Sequence, residues 1–453
     1  MRLRAGAASR PVSAVFRSLA GFNYRVWASG ALLSNIGTWM QRAGQDWIVL
    51  TELTDRNASA VGIVMGLQFG PQVLLLPISG WIADNLDRRK VLFATQVAMG
   101  LLALGLGLLT LSGLIQLWHV FVFAFLLGCV AAIDAPSRQV FVSELVEETN
   151  IANAVALNSA SFNAGRTIGP AVAGLLISAV GTGWVFLVNA ASFLPVMAAL
   201  LLLRLDPVKS ARRPVLRGGG LVEGFRYVTG RPDLRAILAM LFLIGMLGLN
   251  FPIFISAMAV KVFQASAAEF GLLSSCMAAG SVAGALLSAG RDRPGIGILI
   301  AAALFFGCGL AIAALMPTFM LFGIVLVLIG MAMQLYMTSS NGLVQLTTEP
   351  AMRGRVMAIH LAFAMGTTPI GAPLVGWIAD QFGPRWALAV GAFAGIAAAA
   401  IGIRYLGRYQ NLRIRVSRRG LRLTLGAAAA EGEPGTAIEA PIEDGSREPK
   451  GRS

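Results

Sequence analysis

The sequence has little charge, almost no histidine and few cysteines. Only 13% of its 453 residues are charged, about half of what a soluble domain usually carries. Two histidines cannot build a histidine-based metal centre, and the three cysteines have neither metal nor redox spacing. No GxxxxGK[ST] loop for ATP occurs, and no nucleophile, base and metal ligands cluster together. We therefore expect a protein that is not an enzyme and that has no metal and no cofactor.

Apolar residues, by contrast, make up 56% of the chain and occur in long blocks. Residues 91–111 and 296–345 contain no charged side chain, and about 20 apolar helical residues suffice to cross a bilayer. The pattern predicts an all-α membrane protein with twelve transmembrane helices in two six-helix halves. The predicted parts are an N-terminus (1–24), a first bundle (25–204), a linker (205–232), a second bundle (233–407) and a largely disordered tail (408–453).

The net charge of +14 comes from clusters between the apolar blocks, not from one basic face with interleaved aromatics. That distribution indicates no nucleic-acid partner. Arginine and lysine collect in the N-terminus, in alternate loops, in the linker and at the start of the tail. Because basic loops stay in the cytoplasm, we expect both termini and the linker to be cytoplasmic. The lipid bilayer is the expected surrounding, and the N-terminus has no signal-peptide cleavage site.

Two internal repeats are visible. An offset of 202 residues aligns the fifth predicted span with the eleventh, and Gly169 then matches Gly371 and Gly174 matches Gly376. A shorter repeat, Gly-Trp-Ile-Ala-Asp, occurs at 80–84 and at 376–380. The predicted topology puts its two copies on opposite sides of the membrane. We therefore assign this second repeat no shared role.

The loop after the second predicted span carries the most specific motif. Residues 80–92 read GWIADNLDRRKVL, which resembles motif A of the major facilitator superfamily. A glycine lets backbones approach, and an aspartate can bind a helix N-terminus or a basic residue, so contacts can form and break as two halves rock. We interpret the following residues as a gating group: Gly80, Asp84, Arg88, Arg89, Asp134 and Arg138.

The fifth predicted span contains a second family motif. Its sequence NAGRTIGPAVAG, at 163–174, resembles the antiporter-associated motif C of the same superfamily. Glycines permit tight helix crossing, and a proline loosens the helix locally. The motif residues are Gly165, Gly169, Pro170 and Gly174. Plain packing by glycine is the alternative interpretation.

Further phrases at 134–139, 223–227 and 353–356 resemble the branch that holds bacterial enterobactin exporters and macrolide efflux proteins. The resemblance covers about residues 20–407. It implies an inner-membrane, multi-pass exporter of a small amphiphilic solute, working as a monomer by alternating access. A facilitator or importer and a lysophospholipid transporter on the same fold remain alternatives. Where a drug antiporter would have an arginine in the fourth span, this chain has Ala124.

Polar residues in the first, seventh and tenth predicted spans indicate a substrate site. Those of the first span share one face, which is too polar for lipid, and in the resembled fold these spans line the central cavity. Hydrogen bonds between helices are the alternative role. The candidate cavity residues are Asn35, Thr38, Gln41, Arg42, Gln45, Asp46, Asn250, Gln334, Thr338 and Asn341.

Charged residues inside predicted spans are candidates for proton coupling. Asp46 is one helical turn from Arg42, and Arg166 also needs an anion, for which Asp46 is the preferred partner. A carboxylate in a low-dielectric cavity can exchange protons. We interpret Asp46 and Arg166 as the coupling candidates. A static ion pair is the alternative.

Overall fold

A computed structural model describes residues 14–204, 221–289, 295–409, 412–417 and 420–425. We call the helices before residue 205 the first half and those from 221 to 403 the second half. The first half comprises α1 (Phe22–Thr51), α2 (Ala58–Leu74), α3 (Leu76–Asn85), α4 (Arg88–Leu111), α5 (Leu117–Glu144), α6 (Ile151–Val180) and α7 (Thr182–Leu202). The second half comprises α8 (Leu221–Gly230), α9 (Pro232–Leu243), α10 (Phe251–Ala257), α11 (Ala267–Ala289), α12 (Ile296–Leu315), α13 (Phe319–Thr347), α14 (Arg353–Gly366), α15 (Thr368–Gln381) and α16 (Pro384–Tyr409).

Among the described residues, nine helical segments are long and apolar enough to cross a membrane. They include the joined segments Pro232–Val262 and Arg353–Gln381. The polar helices α1 and α6 and the interrupted pair α2 and α3 lie outside this group, so the count of twelve spans stays a prediction. The linker prediction did not include α8, which occupies 221–230. Residues 205–220 lie outside the described part.

Prolines account for the interruptions. A proline near the start of α10 and another near the start of α15 lack the N–H that a continuous helix needs. Ahead of α10 the helix widens into a π turn at Ile244–Gly248. There the Asn250 side chain donates to the Met246 carbonyl at 2.8 Å. A freed backbone carbonyl thus regains a partner inside the bundle, as membrane helices require.

The first half has its own apolar core. Helix α1 packs against α6 and α7, α4 packs against α5 and α7, and α2 packs against α5. Trp27 meets Phe141 edge to face with ring centroids 5.2 Å apart, and the Tyr24 hydroxyl donates to the Ala154 carbonyl at 2.8 Å. Aromatic burial of this kind, with the polar atom of the tyrosine satisfied, fixes the helices relative to one another.

The two halves meet along two helix pairs, α2 with α15 and α6 with α11. A Cβ on Gly271 would lie 2.7 Å from the Pro170 carbonyl oxygen, so only glycine allows this approach. We call the end of the bundle where α2 begins and α15 ends the Asp380 end. The opposite end, where α4 begins, is the Arg88 end. The closest glycine contacts of both helix pairs, under 3.0 Å, lie in the part of the bundle nearer the Asp380 end.

A separate compact unit begins at residue 404, within α16. Within it, strands β1 (Leu412–Ser417) and β2 (Gly420–Leu425) pair antiparallel, with Leu412 opposite Leu425. The prediction of a largely disordered tail did not include this hairpin. Residues 426–453 lie outside the described residues.

Candidate functional site

A cavity of about 210 Å³ lies between the two halves. Its wall is mainly apolar and aromatic, with three charged side chains and a few polar ones. The first half contributes Trp39, Arg42, Ala43, Asp46, Met65, Gln68, Phe69, Arg166 and Pro170. The second half contributes Leu249, Phe251, Pro252, Ile255, Phe270, Ser274, Met277, Ala278, Ser281, Met333 and Thr368.

Two aromatic rings hold Arg42 in the wall of this cavity. Its guanidinium carbon lies 4.9 Å from the ring centre of Trp39 and 5.0 Å from that of Phe69. Trp39 is three residues earlier on α1, which places both side chains on one helix face. Cation–π contacts of this kind orient the guanidinium without neutralising it. The positive charge therefore remains available to the cavity.

Asp46 and Arg166 face the same cavity. Asp46 is only 6% exposed, and among the described residues it has no direct ion pair with Arg42 or Arg166. Arg166 instead donates to the Gln334 side chain of α13 at 3.5 Å, a contact that joins the two halves. The structure thus places the three charged groups in the wall of one cavity. The expected direct pairing of Asp46 with either arginine is absent.

Other polar residues of α1 contact helices of the first half and do not line this cavity. Asn35 donates to Ser161 at 3.0 Å, Gln41 accepts from Asn189 at 2.5 Å, and Gln45 accepts from Gln68 at 2.9 Å. Thr38 donates to a carbonyl of its own helix at 2.8 Å. The polar face of α1 is therefore satisfied mostly by neighbouring helices. For Asn35, Gln41 and Gln45 the contacts are hydrogen bonds between helices, the alternative role, whereas Thr38 bonds within α1.

The predicted polar stripe on α13 continues beyond Gln334. Thr338 and Asn341 are exposed and share a helix face with Gln334. Since Gln334 points at Arg166 across the halves, this face borders the space between them. Asn250 is fully buried beside the cavity-lining Leu249 and Phe251, and its side-chain oxygen has no hydrogen-bond partner.

The gating group lies at the Arg88 end, within the first half. Arg88 pairs with Glu144. Asp134 is 5% exposed and pairs with Arg138 at 2.9 Å. The same carboxylate accepts from Thr95 and Gln96, each at 2.8 Å.

The remaining members of the gating group are Gly80, Asp84 and Arg89. Gly80 was expected to sit at a close backbone approach, but no neighbouring atom lies within 4 Å of where its Cβ would be. Arg89 donates to the Leu201 carbonyl at 3.0 Å, also within the first half. The side chain of Asp84 is outside the described part. In this conformation, then, the space next to Gly80 is open.

The antiporter-like motif packs α6 onto two partners. A Cβ on Gly165 would lie 2.8 Å from the backbone of Asn35, and one on Gly169 would lie 2.8 Å from the Met40 nitrogen. A Cβ on Gly174 would lie 2.5 Å from the Ala267 carbonyl of the second half. The motif therefore serves close packing within the first half and across the halves.

Sequence reasoning missed two kinds of residue. Trp39 and the buried Gln68 could have been found, because Trp39 lies in the charged stretch of α1 and Gln68 interrupts the apolar run of α2. The aromatic Phe69 of α2 leaves no such signal in its apolar run. Asp380 belongs to the repeat that was given no role. It bonds to both Ala58 and Lys261, at 2.8 and 2.6 Å.

The helices, the cavity between the halves and the buried charges define a multi-pass membrane transporter of the major facilitator superfamily. Within it, the chain belongs to the family described as transmembrane secretion effector, whose model matches residues 14–418. This confirms the resemblance found in the sequence. The family membership also agrees with the expectation that the chain transports a small molecule.

Characterised relatives and solved structures agree with this membership. The staphyloferrin A transporter of Staphylococcus aureus is 28% identical over 78% of this chain and 89% of its own length. The enterobactin exporter EntS of Shigella boydii is 27% identical over 74% and 80%. A bacterial homologue of the human lysosomal transporter Spinster, inward-facing and occupied, has a TM-score of 0.66 at 16% identity over 87% and 97%. The structural likeness shows the fold alone.

Proposed function

We propose that this protein is a proton-coupled exporter of a small amphiphilic solute, siderophore-like or drug-like, that works by alternating access. The observation that carries the proposal is the cavity between the halves, in which Arg42, Asp46 and Arg166 face an apolar and aromatic wall. Apolar walls with a few placed polar groups are typical of small-molecule sites. The names of the two relatives, one an enterobactin exporter and one a staphyloferrin A transporter, favour a siderophore-like solute.

The charges of the cavity suit an amphiphile that carries negative charge. Two arginines face one aspartate, so the site retains a net positive charge whenever Asp46 is ionised. The enclosed 210 Å³ is below the roughly 300–1,000 Å³ of typical ligand pockets. A siderophore-sized solute would therefore also occupy the space beside the α13 stripe, where Thr338 and Asn341 would contact it. Arg166 and Gln334, which join the halves, would separate or re-pair as the solute moves.

Asp46 is the proposed site of proton coupling. A carboxylate with no direct ion pair can bind a proton without breaking a salt bridge first, and a solute anion competes with it for the same two arginines. Protonation of Asp46 and binding of an anionic solute are then linked through shared electrostatics. In membrane helices, ionisable residues that face a cavity commonly form such relays.

The membrane arrangement of this proposal follows the distribution of basic residues. In the proposal, twelve spans form two six-helix bundles (25–204 and 233–407), and both termini and the linker are cytoplasmic. We further propose that the protein works as a monomer in the bacterial inner membrane. The Arg88 end then faces the cytoplasm and the Asp380 end faces outward. The charge asymmetry of the two ends supports this orientation.

The test is proton-gradient quenching in inside-out vesicles with and without the protein. Siderophores, macrolides and lysophospholipids would be added in turn. Dissipation of the gradient by a siderophore or a macrolide, only in vesicles that hold the protein, is the expected result. Solute movement without dissipation would replace the proposal with a facilitator, and dissipation by lysophospholipids alone would replace it with a lipid transporter. No response to any class, with folded protein in the vesicles, would contradict proton-coupled export of these solutes.

A further inference from the structure

Asp380 makes three hydrogen bonds across the halves and an ion pair within its own half. One carboxylate oxygen accepts from the Ala58 backbone N–H at 2.8 Å and from the Lys261 ammonium at 2.6 Å. The other accepts from the Ser59 backbone N–H at 2.7 Å and from the Ser59 hydroxyl at 2.5 Å. Both oxygens are therefore used twice, and the carboxylate is only 17% exposed.

The contact captures the start of helix α2. The first N–H groups of a helix have no partner within it and carry partial positive charge. In α2, Asn57 satisfies Ala60 at 3.0 Å, while Asp380 satisfies Ala58 and Ser59. A residue of the second half thus completes the N-terminal cap of a helix in the first half. If the halves separate here, α2 loses that cap.

A glycine one turn before Asp380 makes the capture possible. A Cβ on Gly376 would lie 2.5 Å from the Ala58 carbonyl oxygen and 2.9 Å from the Ser59 Cα. Any larger residue would hold α15 away from the start of α2. Gly376 and Asp380 are the first and last residues of the second Gly-Trp-Ile-Ala-Asp copy. The glycine of the first copy, Gly80, has no neighbouring atom within 4 Å.

We propose that Gly376 and Asp380 form a releasable latch that holds the Asp380 end closed, and that it must open once in each transport cycle. The carboxylate holds α2 through charge-assisted hydrogen bonds, which exchange for water when the halves part. The latch explains why the repeat retains both a glycine and an aspartate at this position: the glycine sets the approach and the aspartate binds. It extends the proposed alternating-access mechanism by naming what closes one end.

The test compares Asp380→Asn with Glu269→Gln by spin-label distances. Asparagine keeps the size but loses the charge and turns one oxygen into a donor that faces other donors. Glu269 is the matched control because it caps α11 at the same end and, among the described residues, bonds to Ser266 of its own half at 2.7 and 2.9 Å. With the native cysteines replaced by alanine, one label pair at Asp55 and Phe382 reports the Asp380 end. A second pair at Asn85 and Arg353 reports the Arg88 end.

We expect Asp380→Asn to raise the ratio of long to short 55–382 distances about tenfold, as loss of a charged hydrogen-bond set predicts. The 85–353 distances should shorten in the same molecules, and Glu269→Gln should change neither pair. Unchanged 55–382 distances in Asp380→Asn, in protein that elutes and melts like the parent, would overturn the latch. The measurement needs no solute, so it can fail while export is shown, or succeed while the solute panel fails.

Discussion

Replacing Gly376 with alanine should open the Asp380 end of the transporter, whereas the same change at Gly80 should not. The two glycines occupy the same place in the two copies of the repeat, and both lie inside helices, α15 and α3. Alanine gains about 0.5–1 kcal/mol of helix propensity at either position. That gain cancels when the two variants are compared, so only the surroundings differ.

The magnitude follows from the contacts at each position. The new Cβ at 376 would meet backbone atoms of α2 at 2.5 and 2.9 Å, whereas at 80 it would meet no neighbouring atom within 4 Å. Backbone cannot rotate away as a side chain can, so α2 and α15 must separate. Overpacking costs about 1–3 kcal/mol, which corresponds to about a 5- to 150-fold shift from closed to open. Because opening the Asp380 end relieves the clash, the substitution cannot lower the free energy of unfolding by more than the free energy that opening costs.

The assay uses a cysteine at Ser274, which lines the cavity, in a background without the native cysteines. Intact cells are treated with a membrane-impermeant maleimide, which reaches the cavity only from outside. We expect labelling of Ser274→Cys to be at least about fivefold faster with Gly376→Ala than with Gly80→Ala, the low end of the range derived above. The parent protein sets the baseline.

Equal labelling rates in the two glycine variants, at equal amounts of folded protein, would refute the reasoning. It would mean that the close approach of α2 and α15 does not control access to the cavity. Faster labelling in Gly80→Ala alone would also refute it, because it would assign control of this end to the other copy of the repeat.

Two further substitutions test the buried carboxylates. Asp46→Asn keeps the cavity's shape and removes its ionisable acid, so gradient dissipation by the exported solute should fall to background in inside-out vesicles; fully proton-coupled efflux would remove Asp46 from the mechanism. Asp134→Asn strips the negative charge from a buried network with Arg138 and Thr95, and breaking a buried pair costs about 3–5 kcal/mol. Thermal unfolding in detergent should show a clear destabilisation absent from the exposed control Asp55→Asn, and equal unfolding temperatures would contradict it.

Much of the fold could be predicted from the sequence because the bilayer restricts the possibilities so strongly. Apolar length and proline positions specify helices and breaks almost independently of tertiary contacts, whereas the orientation inferred from arginine and lysine stays a prediction. Helix α8 and the hairpin at 412–425 were missed because neither leaves a membrane-length signal. Their formation depends on local amphipathic and alternating patterns in segments that composition alone marks as linkers.

The site was predicted less completely, for a different reason. Periodicity places Asn35, Gln41 and Asp46 near one face of α1, but it cannot say which neighbour each residue meets. Three other helices, α2, α6 and α7, pack against that side of α1. Polar residues also hold helices together in membranes, so polarity alone does not indicate a ligand site. Charge distinguished cavity-lining residues from helix-bridging ones better than polarity did. Arg42, Asp46 and Arg166 all line the cavity, whereas the amide side chains of α1 bond to neighbouring helices. Desolvating a full charge costs far more than desolvating an amide, so charges tend to face the wet space between the halves.

The dismissal of the second repeat shows where the topological argument stops. The two copies lie at opposite ends of the bundle, at the end of α3 and the end of α15, so they cannot perform one task at one place. It does not follow that either copy is idle. Wherever the halves meet, a glycine lets the N-terminus of another helix approach closely, and an aspartate one turn later can accept hydrogen bonds from its N–H groups. The structure has this arrangement at 376–380, at the end where the halves are in contact.

The two partners of Asp380 have different roles, because only one of them belongs to the other half. Lys261 and Asp380 both lie in the second half, so their ion pair survives when the halves separate, and it orients the carboxylate. The bonds to Ala58 and Ser59 cross the halves and are the ones that closure makes. Exchanging the charges, as Lys261→Asp with Asp380→Lys, restores the ion pair but points an ammonium at N–H donors. We therefore expect the exchanged protein to show the long 55–382 distances of Asp380→Asn. Recovery of the closed distances would show that the ion pair, and not capture of the α2 start, holds this end shut.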